Sequence, residues 1–534
     1  MKSLGMKSLR ILSSTLATAG VSISHPVLAQ PSVETLGKVH FETSCTPDAA
    51  AAFDRAMLYQ HSFWYRASQR SFEAALKADP ACAIAYWGIA LSLLWNPHAA
   101  PPAKNLADGA AAIAKGKEVG AKTERERDYL DALSAMYADY DKVDHRTRVL
   151  RYVKAMERLA AKYPTDDEAQ IHYALALNVG APPTDKTYAN QLKGAAILEK
   201  IWDRQPDHPG IAHYLIHLYD TPALAERGLT AARRYAKVAP DAPHALHMPS
   251  HIFTRVGYWQ ESINSNMASA RAAKADKEAT DQLHAMDYEV YAYLQLGQDA
   301  RAKAVTDEMA TVKGFSETFH AGPFALAASP ARYAVERGAW KEAAALEVRP
   351  SPLPHIPAIT WFAKALGAAR SGDTAQAEAA IGHLVTLRDE LREKKDAYWS
   401  EQVDIQAQIA TAWLVFATGR KDEALTKMSA AADAEDKTEK SPVTPGPLVP
   451  ARELYGAMLL EQGQAGDALT AFESTLRKEP NRLNAILGAG AAASAAGDNA
   501  KAGQYFAAAA QQASDASVDR SDIRKARAFV AATK

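Results

Sequence analysis

Between His208 and His251 the chain reads HPGIAHYLIHLYDTPALAERGLTAARRYAKVAPDAPHALHMPSH, a stretch holding six of its sixteen histidines. Two pairs, His213 with His217 and His247 with His251, are spaced i, i+4. On a helix that spacing puts both imidazoles on one face, about a turn apart. Neutral imidazole is the commonest metal ligand in proteins, and a group of buried imidazoles without a shared cation is costly to protonate. Four imidazoles with a carboxylate from Asp220 suit copper, zinc, iron or nickel rather than calcium or magnesium, with copper and zinc the leading expectation.

Such a site needs elements that repeat in phase, and the spacing supplies them. His213 and His217 lie seven and eleven residues after Pro206, and His247 and His251 lie seven and eleven after Pro240, thirty-four residues further on. The period recurs at the C-terminal end. There Tyr455-Gly456, Ala468, Phe472 and Pro480 return as Ala489-Gly490, Ala502 and Phe506, with Asp515 in a polar turn replacing the proline. Glycines that could form the turn between the paired helices of each unit stand at Gly257, Gly297, Gly338, Gly372, Gly419, Gly463 and Gly497, and closing prolines at Pro80, Pro164, Pro206 and Pro240. High alanine content and few Val, Ile or Thr runs favour helix over strand.

This pattern resembles the tetratricopeptide repeat (TPR), a helix–turn–helix unit of about thirty-four residues with Leu-Gly, Tyr, Ala-x3-Phe and a closing Pro. The resemblance covers most of residues 47–517 and is tightest at the C-terminal end. It implies an all-α solenoid, a right-handed superhelix of antiparallel helix pairs whose first helices line a concave groove. The expected organisation is a secretory segment over 1–29, a solenoid over 30–435 with histidine-rich units at 167–300, a Pro-rich linker or long loop over 436–450, two regular units over 451–517 and a capping helix within 518–534.

On this reading the histidine pairs fall on consecutive groove-lining helices. His244, His247 and His251 precede Gly257 by thirteen, ten and six residues, and His284, Asp287 and Tyr291 precede Gly297 by the same steps. Neighbouring packed helices lie roughly 8–10 Å apart, close enough for matched side chains to share one ion. The candidate ligands are therefore His213, His217, His247 and His251, with Asp220, His244, His284 and Asp287 near. Later units carry Ala328 and Arg332, Phe362 and Leu366, or Ile409 and Trp413 at the equivalent places, so the scaffold itself does not demand histidine there. His61 and His172 fall out of phase and are expected to pack in the core. Pro249 should disturb its helix and re-aim His247 relative to His251.

The rest bounds the function. A formal net charge of -1 and a pI near 7.0 exclude the basic excess of a nucleic-acid or anionic-membrane binder. Lys2, Lys7 and Arg10, a short apolar run and Val27-Leu28-Ala29 read as a secretory signal, so a periplasmic or secreted protein is expected. No later stretch is long and apolar enough to span a bilayer. In such a compartment Cys45 and Cys82 are expected either as a disulfide between the starts of neighbouring helices or as two buried thiols. HExxH, GxSxG, GxxxxGK[ST] and GxGxxG motifs are missing, so no reaction is specified. An enzyme here would be a copper oxidative or zinc hydrolytic one. The rival is a metal-free scaffold that clamps a peptide or protein partner along the groove, and metal content decides between them.

Overall fold

The computed structural model of the chain describes Met1 and residues 34–516 and 520–532. Apart from Met1, the expected secretory segment lies outside the described residues. The chain divides after Glu34, and everything described from Thr35 onward belongs to one compact unit.

Among the described residues there are twenty-six α-helical segments and no strand. Pro243–His247 and Pro249–Arg255 are one rod interrupted at Met248, because Pro249 has no N–H to offer the turn before it. Counted so, the segments form twelve antiparallel pairs and a closing helix, Ser521–Ala532. The helix-pair repeat expected from the thirty-four-residue period is therefore the architecture observed.

Burial explains which helix of a pair faces in. All eleven residues of Pro209–Tyr219 are buried, whereas its partner Leu229–Val238 buries only Ala231, Ala232, Tyr235 and Val238. The first helix is wrapped by neighbours on every side; the second shows one apolar stripe to the stack and its charges to water. Small residues let aromatic side chains lock successive pairs. A Cβ on Gly456, Gly488 or Gly490 would stand 3.1, 2.4 or 2.6 Å from the ring of Phe472 or Phe506, which is why glycine and phenylalanine recur together in the sequence.

The stack closes on itself. The turn glycine Gly257 has φ +70°, and a Cβ there would lie 2.3 Å from the Pro480 carbonyl of a distant unit. Asn481 Nδ2 donates to the Gly257 carbonyl at 3.3 Å, and Trp259 Nε1 donates to the Asn481 carbonyl at 2.8 Å. Nearby, the fully buried guanidinium of Arg482 reaches Glu336 at 2.7 Å and Glu453 at 2.6 Å.

Of the two expectations for the Pro-rich segment, linker or long loop, it takes the form of a long loop packed against the stack. After helix Lys421–Asp436 it turns into the groove, burying Thr438, Ser441, Thr444, Leu448 and Val449. Glu439 takes Lys186 at 2.6 Å, and the Thr444 carbonyl accepts from Tyr288 at 3.0 Å. Prolines suit this segment because it runs through turns and bends, where a missing N–H breaks no helix or ladder bond. A second inward loop, Trp95-Asn96-Pro97-His98, is held by the Asn96 side chain, which accepts from the His98 N–H at 2.9 Å.

Cys45 and Cys82 are joined in a disulfide that ties the approach to helix Pro47–His61 to the start of Ile84–Leu93. Cross-linking a 37-residue separation removes unfolded-chain entropy worth about 4 kcal/mol. Cys45→Ser should therefore lower the stability of the N-terminal pairs by about that amount, read as a reduced denaturant midpoint that added reductant lowers no further. Gly257→Ala should cost more than the about 1–2 kcal/mol of a left-handed alanine and should speed amide exchange around residues 480–484. Gly463→Ala, with φ +75° and open space around its Cβ, should show the backbone cost alone.

Candidate metal centre

Three successive first helices bring the predicted histidines together. Pro209–Tyr219 carries His213 and His217, the broken rod carries His244, His247 and His251, and Ala279–Gln295 carries His284. Their ring nitrogens gather in two groups, His213 with His217 and His244, and His247 with His251 and His284; within each group the candidate ligand atoms lie within 4.8 Å of one another. In the first group His213 Nε2 is 3.1 Å from both His217 Nε2 and His244 Nε2. In the second, His247 Nε2 is 3.0 Å from His251 Nε2.

The far nitrogens decide where the protons are. His213 Nδ1 lies 2.6 Å from the carbonyl oxygen of His61, an atom that can only accept, so Nδ1 carries the hydrogen. His251 Nδ1 donates to Asp220 Oδ2 at 2.9 Å. His247 Nδ1 donates to Asn266 Oδ1 at 2.6 Å, and the orientation of that amide is fixed because its Nδ2 donates to the Ser262 carbonyl at 2.7 Å. In the neutral form a ring with its hydrogen on Nδ1 has a bare lone pair on Nε2. The Nε2 lone pairs of His247 and His251 thus face each other with no hydrogen between them. Only a proton or another cation between them would turn that repulsion into attraction.

A proton is disfavoured. Burial, followed by repulsion from the other imidazoles, pulls His217, His244 and His284 well below the ordinary histidine range, and burial likewise brings His213 down to about 3. Burial also carries His247 well down against its Asn266 bond, and it lowers His251 in spite of Asp220. The rings are neutral at physiological pH, which is the state a metal ion requires.

Two of the expected ligands do not join the imidazoles. Both oxygens of Asp220 are taken, Oδ1 by Arg255 Nε at 2.8 Å and Oδ2 by His251 and by Lys440 Nζ at 2.9 Å. Burial alone would raise this carboxyl, but Lys440 and Arg255 hold it below the usual range, so Asp220 aims His251 instead of binding an ion itself. Asp287 faces the next first helix, accepting from Ser329 Oγ at 3.1 Å with Arg332 3.7 Å away, and burial raises it to about 6. Tyr291 points to the C-terminal units, with its hydroxyl 3.2 Å from Glu479.

Other participants were not in the predicted set. His98, on the inward loop, places its ring 4.8 Å from that of His217; its Nε2 is buried without a hydrogen-bond partner. It lies off the thirty-four-residue phase, so only the Trp-Asn-Pro-His turn marked it. Lys440 arrives from the Pro-rich segment, and Asn266 from a second helix. Phe63, with φ +54°, packs 4.3 Å from the His213 ring. The out-of-phase histidines form a separate buried cluster, where Glu168 accepts from His61 at 3.0 Å and from His208 at 2.8 Å. There the carboxylate supplies the acceptor that His61 and His208 need, while His172 Nε2, 3.7 Å from Glu168, is buried without a hydrogen-bond partner.

No protein-family model matches the chain, and no curated protein matches it. Among solved structures it is similar to the P58(IPK) TPR domain, at 12% identity and TM-score 0.21 over 91% of this chain and 99% of that one. It is also similar to a human IFIT1 dimer with m7Gppp-AAAA, at 12% identity and TM-score 0.33 over 89% and 98% of the two chains. Yeast Tom70 gives 11% identity and TM-score 0.26 over 91% and 95%. Likenesses this distant say nothing of ligand or partner.

Asp220→Asn leaves the buried Lys440 without its paired carboxylate and Arg255 with only Glu439, 3.9 Å away. It is expected to cost about 3–5 kcal/mol in denaturant unfolding, and the double change with Lys440→Met should recover a large fraction of that loss. By the geometry of its own helix pairs, the chain is an all-α solenoid like the one its thirty-four-residue period implies, with a buried histidine cluster contributed by three successive first helices.

Proposed function

We propose that this solenoid is an exported binder of a transition metal, copper or zinc, held by the imidazoles of His213, His217 and His244 and of His247, His251 and His284. The observation that carries the reading is the pair of bare Nε2 lone pairs of His247 and His251, 3.0 Å apart, with each Nδ1 committed elsewhere. Metal–nitrogen bonds of about 2.0–2.1 Å in tetrahedral geometry set neighbouring ligand atoms about 3.4 Å apart. The observed spacing is within a few tenths of an ångström of that figure. A three-imidazole set leaves the fourth position of a tetrahedral ion open, the arrangement of sites that bind water or substrate.

Export is supported by the basic and apolar start of the chain and by the Cys45–Cys82 disulfide, which belongs in an oxidising compartment. Among the described residues no helix is long and apolar enough to cross a membrane. The rival, a metal-free clamp for an extended peptide, is disfavoured because the chain's own 437–450 segment lies in the groove where such a peptide would bind.

Metal analysis by mass spectrometry on protein made without a histidine tag tests the reading. At least one equivalent of copper or zinc is expected after reconstitution, and His247→Ala with His251→Ala should reduce it. At a free metal concentration a thousandfold above Kd, binding should add about 4 kcal/mol to unfolding stability. Less than about a tenth of an equivalent after reconstitution, with no shift in melting temperature, would return the chain to the scaffold reading.

A further inference from the structure

Resting on that metal reading, we infer that the cluster is a two-metal centre, one ion in each three-histidine group, built for a pair of copper ions that share a small bridging ligand. The count comes first. Six imidazoles converge here and His98 adds a seventh, whereas a tetrahedral ion takes four ligands.

The ring nitrogens then divide them. Within each group the candidate ligand atoms lie within 4.8 Å of one another, and one central ring, His213 or His247, stands 4.3–4.9 Å by centroid from its two companions. The two outer rings of each group are 6.5 and 6.3 Å apart, no nearer than the 6.1 Å from His217 to His251 or from His244 to His247, so the division lies in where the nitrogens point and not in the ring centres. Two focal points follow, close enough for their ions to approach the roughly 3.5–4 Å separation of two-metal sites. His244 and His247, three residues apart on one rod, each point into a different group, so a single helix fixes the distance between the ions.

Charge selects the metal. All six grouped donors are neutral, and Asp220, the carboxylate in contact with them, is already matched by Lys440 and Arg255. Two divalent ions would bring four positive charges into this buried space. A pair of singly charged copper(I) ions brings two, and an oxidised copper(II) pair is relieved by an anion between the ions. Asp220 also lacks a free oxygen to activate water as a hydrolytic base, which favours the redox metal over zinc.

The test titrates tagless apoprotein with copper(II) chloride, counting bound metal by mass spectrometry and integrating the copper paramagnetic resonance signal. The intact chain should take two equivalents with a signal well below two independent spins. His244→Gln and His284→Gln, placed at half-buried rings so that the fold tolerates the change, should each weaken one of the two binding steps about tenfold or more. His213→Gln with His217→Gln, with folding checked by circular dichroism, should hold one equivalent and show its full spin. One tight equivalent in the intact chain, or two equivalents with a full two-spin signal, would overturn the paired centre and leave metal binding standing. No tight copper at all would overturn both.

Discussion

Lone pairs brought face to face in a buried interior are the constraint on which this structure turns. A neutral imidazole can give one hydrogen bond and take one. Here the giving end of His213, His247 and His251 is spent on a main-chain carbonyl, an amide and a carboxylate respectively. The taking ends of His247 and His251 then face each other 3.0 Å apart, with the Tyr288 hydroxyl 3.4 Å from His251 Nε2 and its hydrogen spent on the Thr444 carbonyl. Buried polar atoms are usually satisfied, and one left bare is destabilising by about 1–3 kcal/mol. An arrangement that accumulates such atoms at one point, with each ring held from behind, is what an electropositive guest would stabilise. The Glu168 cluster is the internal comparison, since there a carboxylate meets the ring hydrogens of His61 and His208.

Positioning works at three levels. The helix period places two rings on one face, the stacking of pairs brings three such faces together, and the outer contacts set the angle of each ring. His251 illustrates the last level. Asp220 holds its Nδ1–H, Arg255 and Lys440 hold Asp220, and Lys440 belongs to a segment some two hundred residues away in the chain. Burial brings the Lys440 ammonium down to about 8, yet its partner keeps it in place as a counter-ion.

Much of this was legible in the residues. The thirty-four-residue period, the turn glycines and the paired Phe and Gly positions specify helix pairs because each is a local demand of the repeat, and six of the eight expected site residues lie where phase and i, i+4 spacing put them. The remainder depends on contacts made only when the stack closes. Nothing local to Asp220 says that Lys440 and Arg255 will occupy it, and nothing near Asp287 says that it will turn to Ser329. His98 escaped because it rides on a loop, where periodicity carries no information. The Pro-rich stretch reads as a spacer by composition, but composition records only the lack of regular structure, and an irregular strand can be buried wherever side chains such as Tyr288 and Lys186 take up its polar groups.

The inward fold of residues 437–450 also sets an order of events. Every imidazole of the cluster comes from residues 98–284, so the cradle is complete once the first seven helix pairs have assembled, while the strap that buries Lys440 against it is contributed by a stretch of the chain made later. Domains and repeats tend to form from the N-terminus as synthesis proceeds. On that order the cradle is built before it is covered, and docking of the later stretch closes the Asp220–Lys440 pair over it.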